Sequence, residues 1–369
     1  MQFLIYTVLQ IPMGILADRY GPNFFLIIGA MLTGVGTIVY SVSTHESILF
    51  VARLLTGMGD ATIWVNLVLV LSQWFTMKEF TRFIGVAAMM GNLGYVFATV
   101  PFSKTIDIFG WRGAFFSAGV LIFICGISLF IILVQQLKQP LIKKSNQSLE
   151  KVAPLIRRIF SNRQAWMLFM CHFGVVGTYV GFISSWGVHY GMNMYGMTRS
   201  DASQLMMLGL IGSLIGGPLA SWLASRLGMI RRPYIVVHAT LVLAWLTLLI
   251  YQGKPPILLL TILFFIIGLA YGANALTFAA VRNSFPVKEA GIVTGFANTG
   301  GFLSAILLPS IFGKVLDYFH VTTGSLSAGY VISFIIPVIF ASVGFVGVLL
   351  LKEKQVESKR VISTNLCSP

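Results

Sequence analysis

Nine stretches of this 369-residue chain contain no Asp, Glu, Lys or Arg: 20 to 44, 83 to 103, 113 to 137, 164 to 198, 202 to 225, 233 to 253, 255 to 281, 290 to 313 and 318 to 351. About 20 apolar residues at ~1.5 Å rise span the ~30 Å hydrocarbon core of a bilayer, so each stretch is long enough to cross one. Apolar residues make up 57% of the chain and charged residues 10%, against about 45–50% and about 25% in a soluble domain. This balance excludes a soluble globular protein and an intrinsically disordered one. The run length excludes a membrane barrel, whose strands alternate over roughly 10 residues. The fold class is therefore all-α, a polytopic helical membrane protein.

Adding the opening stretch 1 to 17 and the run around 47 to 75, interrupted by Arg53 and Asp60, gives eleven segments. Loops after odd-numbered segments share one side of the membrane. That side carries nineteen basic residues, among them Arg19, Lys78, Arg82, Lys143, Lys144, Arg157, Arg158, Arg226, Arg231, Arg232 and Arg282. The other side carries five: Lys104, Arg112, Arg199, Lys254 and Lys314. The positive-inside bias makes the richer side cytoplasmic, with the C-terminus inside and Met1 outside, and the expected location is the plasma (inner) membrane. The net charge of +14 is thus a topology signal, and no nucleic-acid partner is expected.

An odd count starting outside, with a short first segment, is what a twelve-helix protein lacking its first helix would show; a genuine eleven-helix chain is the alternative. The expected organisation is a first transmembrane bundle over 1–134, a cytoplasmic linker over 135–163, a second bundle over 164–351 and a cytoplasmic tail over 352–369. Cys125, Cys171 and Cys367 have no paired spacing, so neither a disulfide framework nor a metal site is indicated. No cofactor is expected. The N-terminus lacks a basic leader with a cleavage site, and the sequon at Asn146 falls in a loop expected on the cytoplasmic side.

The halves share a repeat. Gly14-Ile15-Leu16-Ala17-Asp18-Arg19-Tyr20-Gly21 returns as Ser221-Trp222-Leu223-Ala224-Ser225-Arg226-Leu227-Gly228, at an offset of 207. Gly85, Asn92 and Gly94 return as Gly291, Asn298 and Gly300, at an offset of 206. An even number of spans separates the copies, so the repeats are parallel, about an axis along the membrane normal. These residues resemble the major facilitator superfamily, whose signature Gly-x-Leu-Ala-Asp-Arg-x-Gly stands here as Gly14, Leu16, Ala17, Asp18, Arg19 and Gly21. A second family motif stands as Leu49, Arg53, Gly57, Gly59 and Ala61, and Gly110-Trp111-Arg112 is similar to the turn into the family's sixth helix. The resemblance implies a two-bundle fold with pseudo-twofold halves, eleven helices present of a usual twelve. It also implies a gate in which Asp18 meets the helix beginning near Ala290 and Gly291. Departures are Pro22 and Asn23 where basic residues are usual, Asp60 where a small residue is usual, and Ser225 in place of the second acid, so the gate is expected to be lopsided. Gly14, Asp18, Arg19, Gly21, Arg226 and Gly228 form the gating set.

A carboxylate at the C-terminal end of its own helix is opposed by that helix's dipole, so Asp18 needs a partner. Asp60 is the acid that must lie near mid-membrane, where a charge costs at least ~2.5–3.5 kcal/mol. Arg53, Gly57, Asp60 and Trp64 follow at i, i+4, i+7 and i+11, on one helical face that can line a cavity. Two further stripes, His172, Tyr179 and Trp186, and Tyr271, Asn274 and Phe278, have helical spacing; by the resemblance they face the centre. Asn92 and Asn298 complete the candidate set for solute or proton handling.

The leading expectation is a secondary transporter that moves a small polar or charged solute by alternating access, as a monomer, with the proton as coupling ion and uptake favoured over export. Proton-driven export, and a transporter-derived receptor, are the alternatives. A membrane-embedded enzyme would need paired acids, a Ser/His pair or a metal cluster, and none has the required spacing. Nucleotide-driven pumping lacks any Gly-x-x-x-x-Gly-Lys-Ser/Thr loop.

Overall fold

The computed structural model describes residues 2–98, 100–142 and 152–353. Lys143, Lys144, Asn146 and the tail from 354 onward, including Cys367, lie outside the described residues. Among the described residues every regular element is a helix. The first half contains α1 (Gln2–Tyr20), α2 (Pro22–Val42), α3 (Glu46–Trp74), α4 (Met77–Phe97) and α5 (Val100–Phe130). A short helix, α6 (Val152–Phe160), precedes the second half. That half contains α7 (Arg163–Val176), α8 (Gly187–Tyr195), α9 (Arg199–Leu227), α10 (Arg231–Ile250), α11 (Ile257–Gly272), α12 (Ala275–Ser284), α13 (Ala290–Thr323), α14 (Leu326–Ser333) and α15 (Ile335–Leu350).

Local chemistry sets the ends of these helices. Pro22 opens α2, where its missing N–H costs nothing. Thr76 and Glu79 cap α4 reciprocally: Glu79 N donates to Thr76 Oγ1 at 3.4 Å and Thr76 N donates to the Glu79 carboxylate at 3.0 Å. Gly110, at φ 70° and ψ 165°, breaks α5. The stretch from Trp111 therefore starts a new span, and Arg112 ties it to the end of α2 by donating to the Ser43 carbonyl at 3.1 Å.

Among the described residues, eight helical segments are long and apolar enough to cross a membrane, and the chain is an integral membrane protein. The other three segments expected from the sequence, α1, α4 and the stretch beginning at Arg163, are helical too but fall short of that length and hydropathy measure. Their shortfall has a physical origin in polar content, such as Gln10 and Asn92, and in a π-type turn over Gly177–Gly181 that follows α7. A second irregularity separates α11 from α12 at Ala273 and Asn274. Backbone of this kind is tolerated at membrane depth only where protein or a cavity surrounds it. Both interruptions lie beside the central chamber.

The halves meet crosswise. α1 packs along α13 and α4 along α9, while α2, α3 and α5 pack among themselves, as do α7, α13 and α15. Gly14 sits so close to α13 that a Cβ there would run into the Gly291 backbone, and Gly85 sits equally close to Ser221. Gly14 and Ser221 are repeat partners, as are Gly291 and Gly85, so each half presses its motif against the partner glycine of the other. Small residues at such crossings let helix backbones approach closely. The fold is two pseudo-twofold-related helical bundles joined along two small-residue seams.

Candidate functional site

A cavity of about 200 Å³ lies between the bundles. From the first half, α1 contributes Tyr6, α3 contributes Trp64, and α4 contributes Ala88, Gly91, Asn92 and Tyr95. From the second half, α7 contributes His172 and Val176, α11 contributes Tyr271, α12 with its cap contributes Asn274 and Phe278, and α13 contributes Asn298 and Phe302. The wall thus alternates amides and an imidazole with aromatic faces. Trp64 meets Phe278 edge-on across the bundle interface at 5.3 Å, and Tyr6 meets Phe302 at 4.2 Å.

The polar groups of the wall are connected. Asn298 Nδ2 donates to Gln10 Oε1 at 2.7 Å and to Tyr6 Oη at 3.3 Å. His172 Nε2 lies 3.1 Å from Asn298 Oδ1, and its Nδ1 lies 3.1 Å from Thr277 Oγ1. Tyr234 Oη is 2.7 Å from that same threonine hydroxyl. On the α4 side, Asn92 Nδ2 donates to the Ser213 carbonyl at 3.1 Å. Asn92 and Asn298, partners in the repeat, therefore each spend their amide nitrogen on the opposite bundle.

The end of the molecule that carries Lys78, Arg82, Arg226 and Arg282 is closed. Asp18 accepts from Gly291 N and Ile292 N, both at 2.8 Å, in the first turn of α13. A carboxylate there complements the positive end of the α13 dipole and satisfies two orphan donors. Arg19 lies beside it at the end of α1, and Gly21, at φ 84°, makes the turn into α2. The second-half copy works differently. Ser225 donates to the Lys78 carbonyl at 3.3 Å and accepts from Arg82 Nε at 3.2 Å. α4 begins at Met77, eight residues before Gly85, so its first-turn donors lie away from that crossing. Ser225 meets that first turn itself, where Thr76 and Glu79 already cap the helix and Arg82 supplies the donor. Arg226 covers the Trp222 ring at 5.3 Å, and Gly228, at φ 65°, ends α9. Arg282 Nε bridges the seam by donating to the Ser72 carbonyl at 3.1 Å.

The other candidates are not all in the chamber. Trp64, Asn92, His172, Tyr271, Asn274 and Asn298 line it. Arg53 does not: its guanidinium covers the Tyr40 ring of α2 at 4.1 Å. Asp60 does not line it either. It accepts from Thr33 Oγ1 at 3.1 Å while lying within electrostatic reach of the chamber tyrosines Tyr6 and Tyr95. The spacing along α3 predicts one face opening onto one cavity, but that face meets α2 over its first four turns and reaches the bundle interface only at Trp64. Tyr179 stacks on Tyr271 at 4.2 Å, behind the wall, and Trp186 donates to the Pro309 carbonyl at 3.1 Å, away from it. The π-type turn over Gly177–Gly181 rotates that stripe out of register. The expected set missed Tyr6, Gln10, Tyr95, Thr277 and Tyr234. Gln10, a lone amide in the apolar stretch of α1, was the signal available.

A family model described as Major Facilitator Superfamily matches residues 1–309. A "Probable hexose phosphate transport protein" of Chlamydia trachomatis serovar D is 23% identical over 85% of this chain and 74% of its own length. A "Probable galactarate/D-glucarate transporter" of Bacillus subtilis strain 168 is 24% identical over 88% of this chain and 77% of its own. Among solved structures, a variant of the Escherichia coli fucose:proton symporter superposes with a TM-score of 0.75 at 14% identity, covering 95% of this chain and 89% of that one.

Proposed function

Because this chain belongs to the major facilitator superfamily, we propose that it is a secondary transporter of a small, oxygen-rich, carbohydrate-derived solute, working by alternating access as a monomer. The observation that carries this reading is the chamber itself. Amides and an imidazole from both bundles converge on one space with aromatic faces, which suits a solute presenting hydroxyl or carboxylate oxygens on one side and C–H surface on the other. The relatives named above, described as handling hexose phosphates or sugar diacids, support that chemical class.

The basic end is the cytoplasmic one by the positive-inside rule, which puts the C-terminus inside at the plasma membrane. The Asp18 contact then shuts the chamber from the cytoplasm. The organisation follows as a first bundle over 1–134, a linker over 135–163, a second bundle over 164–351 and a tail over 352–369. Within the linker, α6 rests on the second bundle through the Arg158 to Glu289 pair, at 2.8 Å.

Uptake is coupled to protons through Asp60. Its carboxylate lies within electrostatic reach of the chamber tyrosines without lining the chamber, so it can change its protonation while solute occupies that space. The structural likeness to a fucose:proton symporter agrees with this. The test uses protein reconstituted in liposomes and hexose 6-phosphate, galactarate or fucose as trial solutes. Asp60→Asn is expected to abolish gradient-driven accumulation while leaving solute-for-solute exchange. Accumulation that survives in the variant removes Asp60 from coupling; failure of every trial solute in the wild-type protein counts against transport of this class.

A further inference from the structure

The hydrogen-bond chain running through the chamber wall has a direction that its partners dictate. The amide nitrogen of Asn298 faces Gln10 and Tyr6, which accept its two hydrogens. Its carbonyl oxygen therefore faces His172 Nε2, and an oxygen can only accept, so Nε2 carries the hydrogen. A neutral ring protonated there leaves Nδ1 as the acceptor, and Thr277 must donate to it. The threonine hydroxyl has then spent its one hydrogen, and Tyr234 must donate to it. The links from Tyr234 to Gln10 are buried: Tyr234, Thr277 and Gln10 are 0% exposed, Asn298 2% and His172 3%, while the bond to Tyr6 is part-buried. Only the final link crosses between bundles, from α13 to α1.

We propose that Thr277 and Tyr234 are positioning residues for transport. They hold His172 in one tautomer and Asn298 in one orientation, so the bundles stay joined at chamber level until a solute oxygen takes the same amide hydrogens. This rests on the transport reading for its purpose. His172 and Asn298 both line the chamber, so a solute oxygen reaching Asn298 competes directly with Gln10 and Tyr6. Binding and release of the α1 to α13 seam are then one event, since the nitrogen that recognises the solute is the nitrogen that held the seam. Hydroxyls distant from the chamber act through the ring between them: without Thr277 the imidazole loses its partner on one side, and the orientation of Asn298 is no longer enforced.

The experiment places nitroxide labels at Tyr20→Cys and Lys288→Cys, exposed positions flanking the seam, in a background of Cys125→Ser, Cys171→Ala and Cys367→Ser. Distances are read by pulsed dipolar spectroscopy in lipid nanodiscs with no solute added. Thr277→Val is expected to raise the population with the two labels far apart by about threefold to tenfold, the value of one buried polar link between membrane helices. Tyr234→Phe should move it the same way, Thr277→Ser should restore it, and the double variant should shift no further than the larger single one. Ser333→Ala, which removes a buried hydroxyl bonded to the Phe312 carbonyl far from the chain, should leave the distances unchanged. Unchanged distances in both Thr277→Val and Tyr234→Phe, or an equal shift in Ser333→Ala, would overturn the proposal. Should Thr277→Val fail to fold, Tyr234→Phe decides, since it removes a single oxygen. Failure of the wild-type protein to move any trial solute would sink the transport reading and leave these distances as they are.

Discussion

Replacing Asp18 by asparagine keeps size and shape while removing a charge and one acceptor. In the closed gate the carboxylate takes two backbone N–H bonds, both at 2.8 Å, from the first turn of α13. Hydrogen bonds to a charged group contribute roughly 1.5–3 kcal/mol each, and neutral ones roughly 0.5–1.5 kcal/mol. The amide introduced by Asp18→Asn would keep one neutral bond and turn its own hydrogens toward the second donor, a loss of about 2–5 kcal/mol before solvation is counted. A carboxylate leaving water also carries a desolvation cost that the variant escapes, which offsets part of the loss. A net of about 2 kcal/mol corresponds to about a thirtyfold rise in the ratio of open to closed gate. The labels at positions 20 and 288 measure that ratio directly, and a chain that melts normally yet shows the wild-type distance distribution would refute the assignment of Asp18 as the clasp. Asp18→Glu, which retains the charge on a longer arm, should lie between the two.

Gly14→Ala should open the same seam more completely than Asp18→Asn. The added methyl meets the Gly291 backbone, which cannot step aside, so the labelled distance should lengthen whatever the state of Asp18. Asn92→Ala removes the amide that bridges to the Ser213 carbonyl and lines the chamber, and should raise KM for the transported solute by about tenfold with expression unchanged, as measured by initial uptake rates. Glu289→Gln breaks the pair with Arg158, whose side chain is 45% exposed; calorimetry should show a change in Tm of no more than about 2 °C, because exposed pairs contribute under about 1 kcal/mol.

The spans were legible because charge is so costly in a bilayer that its absence marks them, and the two halves were legible because two motifs recur at nearly the same offset, 207 and 206. The Asp18 contact followed from the first copy together with family resemblance. What periodicity missed was depth and bending. Arg53 and Asp60 share a face with Trp64, yet a helix that crosses its neighbours at an angle shows the same face to α2 near one end and to the opposite bundle further along. Tyr179 and Trp186 kept helical spacing with His172 on paper, but the π-type turn between them adds a residue to the cycle. Thr277 and Tyr234 carried no pattern, since one hydroxyl among apolar residues looks like any other until its partner across the bundle is seen.

The unequal seams have a consequence for how the molecule parts. One is held by an anion seated on a helix end, the other by a serine that touches a backbone oxygen and a single guanidinium. On the transport reading proposed above, two clasps of different chemistry would not let go together, and an α4 side that yielded first would leave the α1 side as the pivot. On the uptake reading proposed above, an opening of this kind would start off-centre, beside Arg82 and Ser225. Duplication supplied two copies of one fastening, and Ser225 where the first copy has Asp18 gives the second a different chemistry.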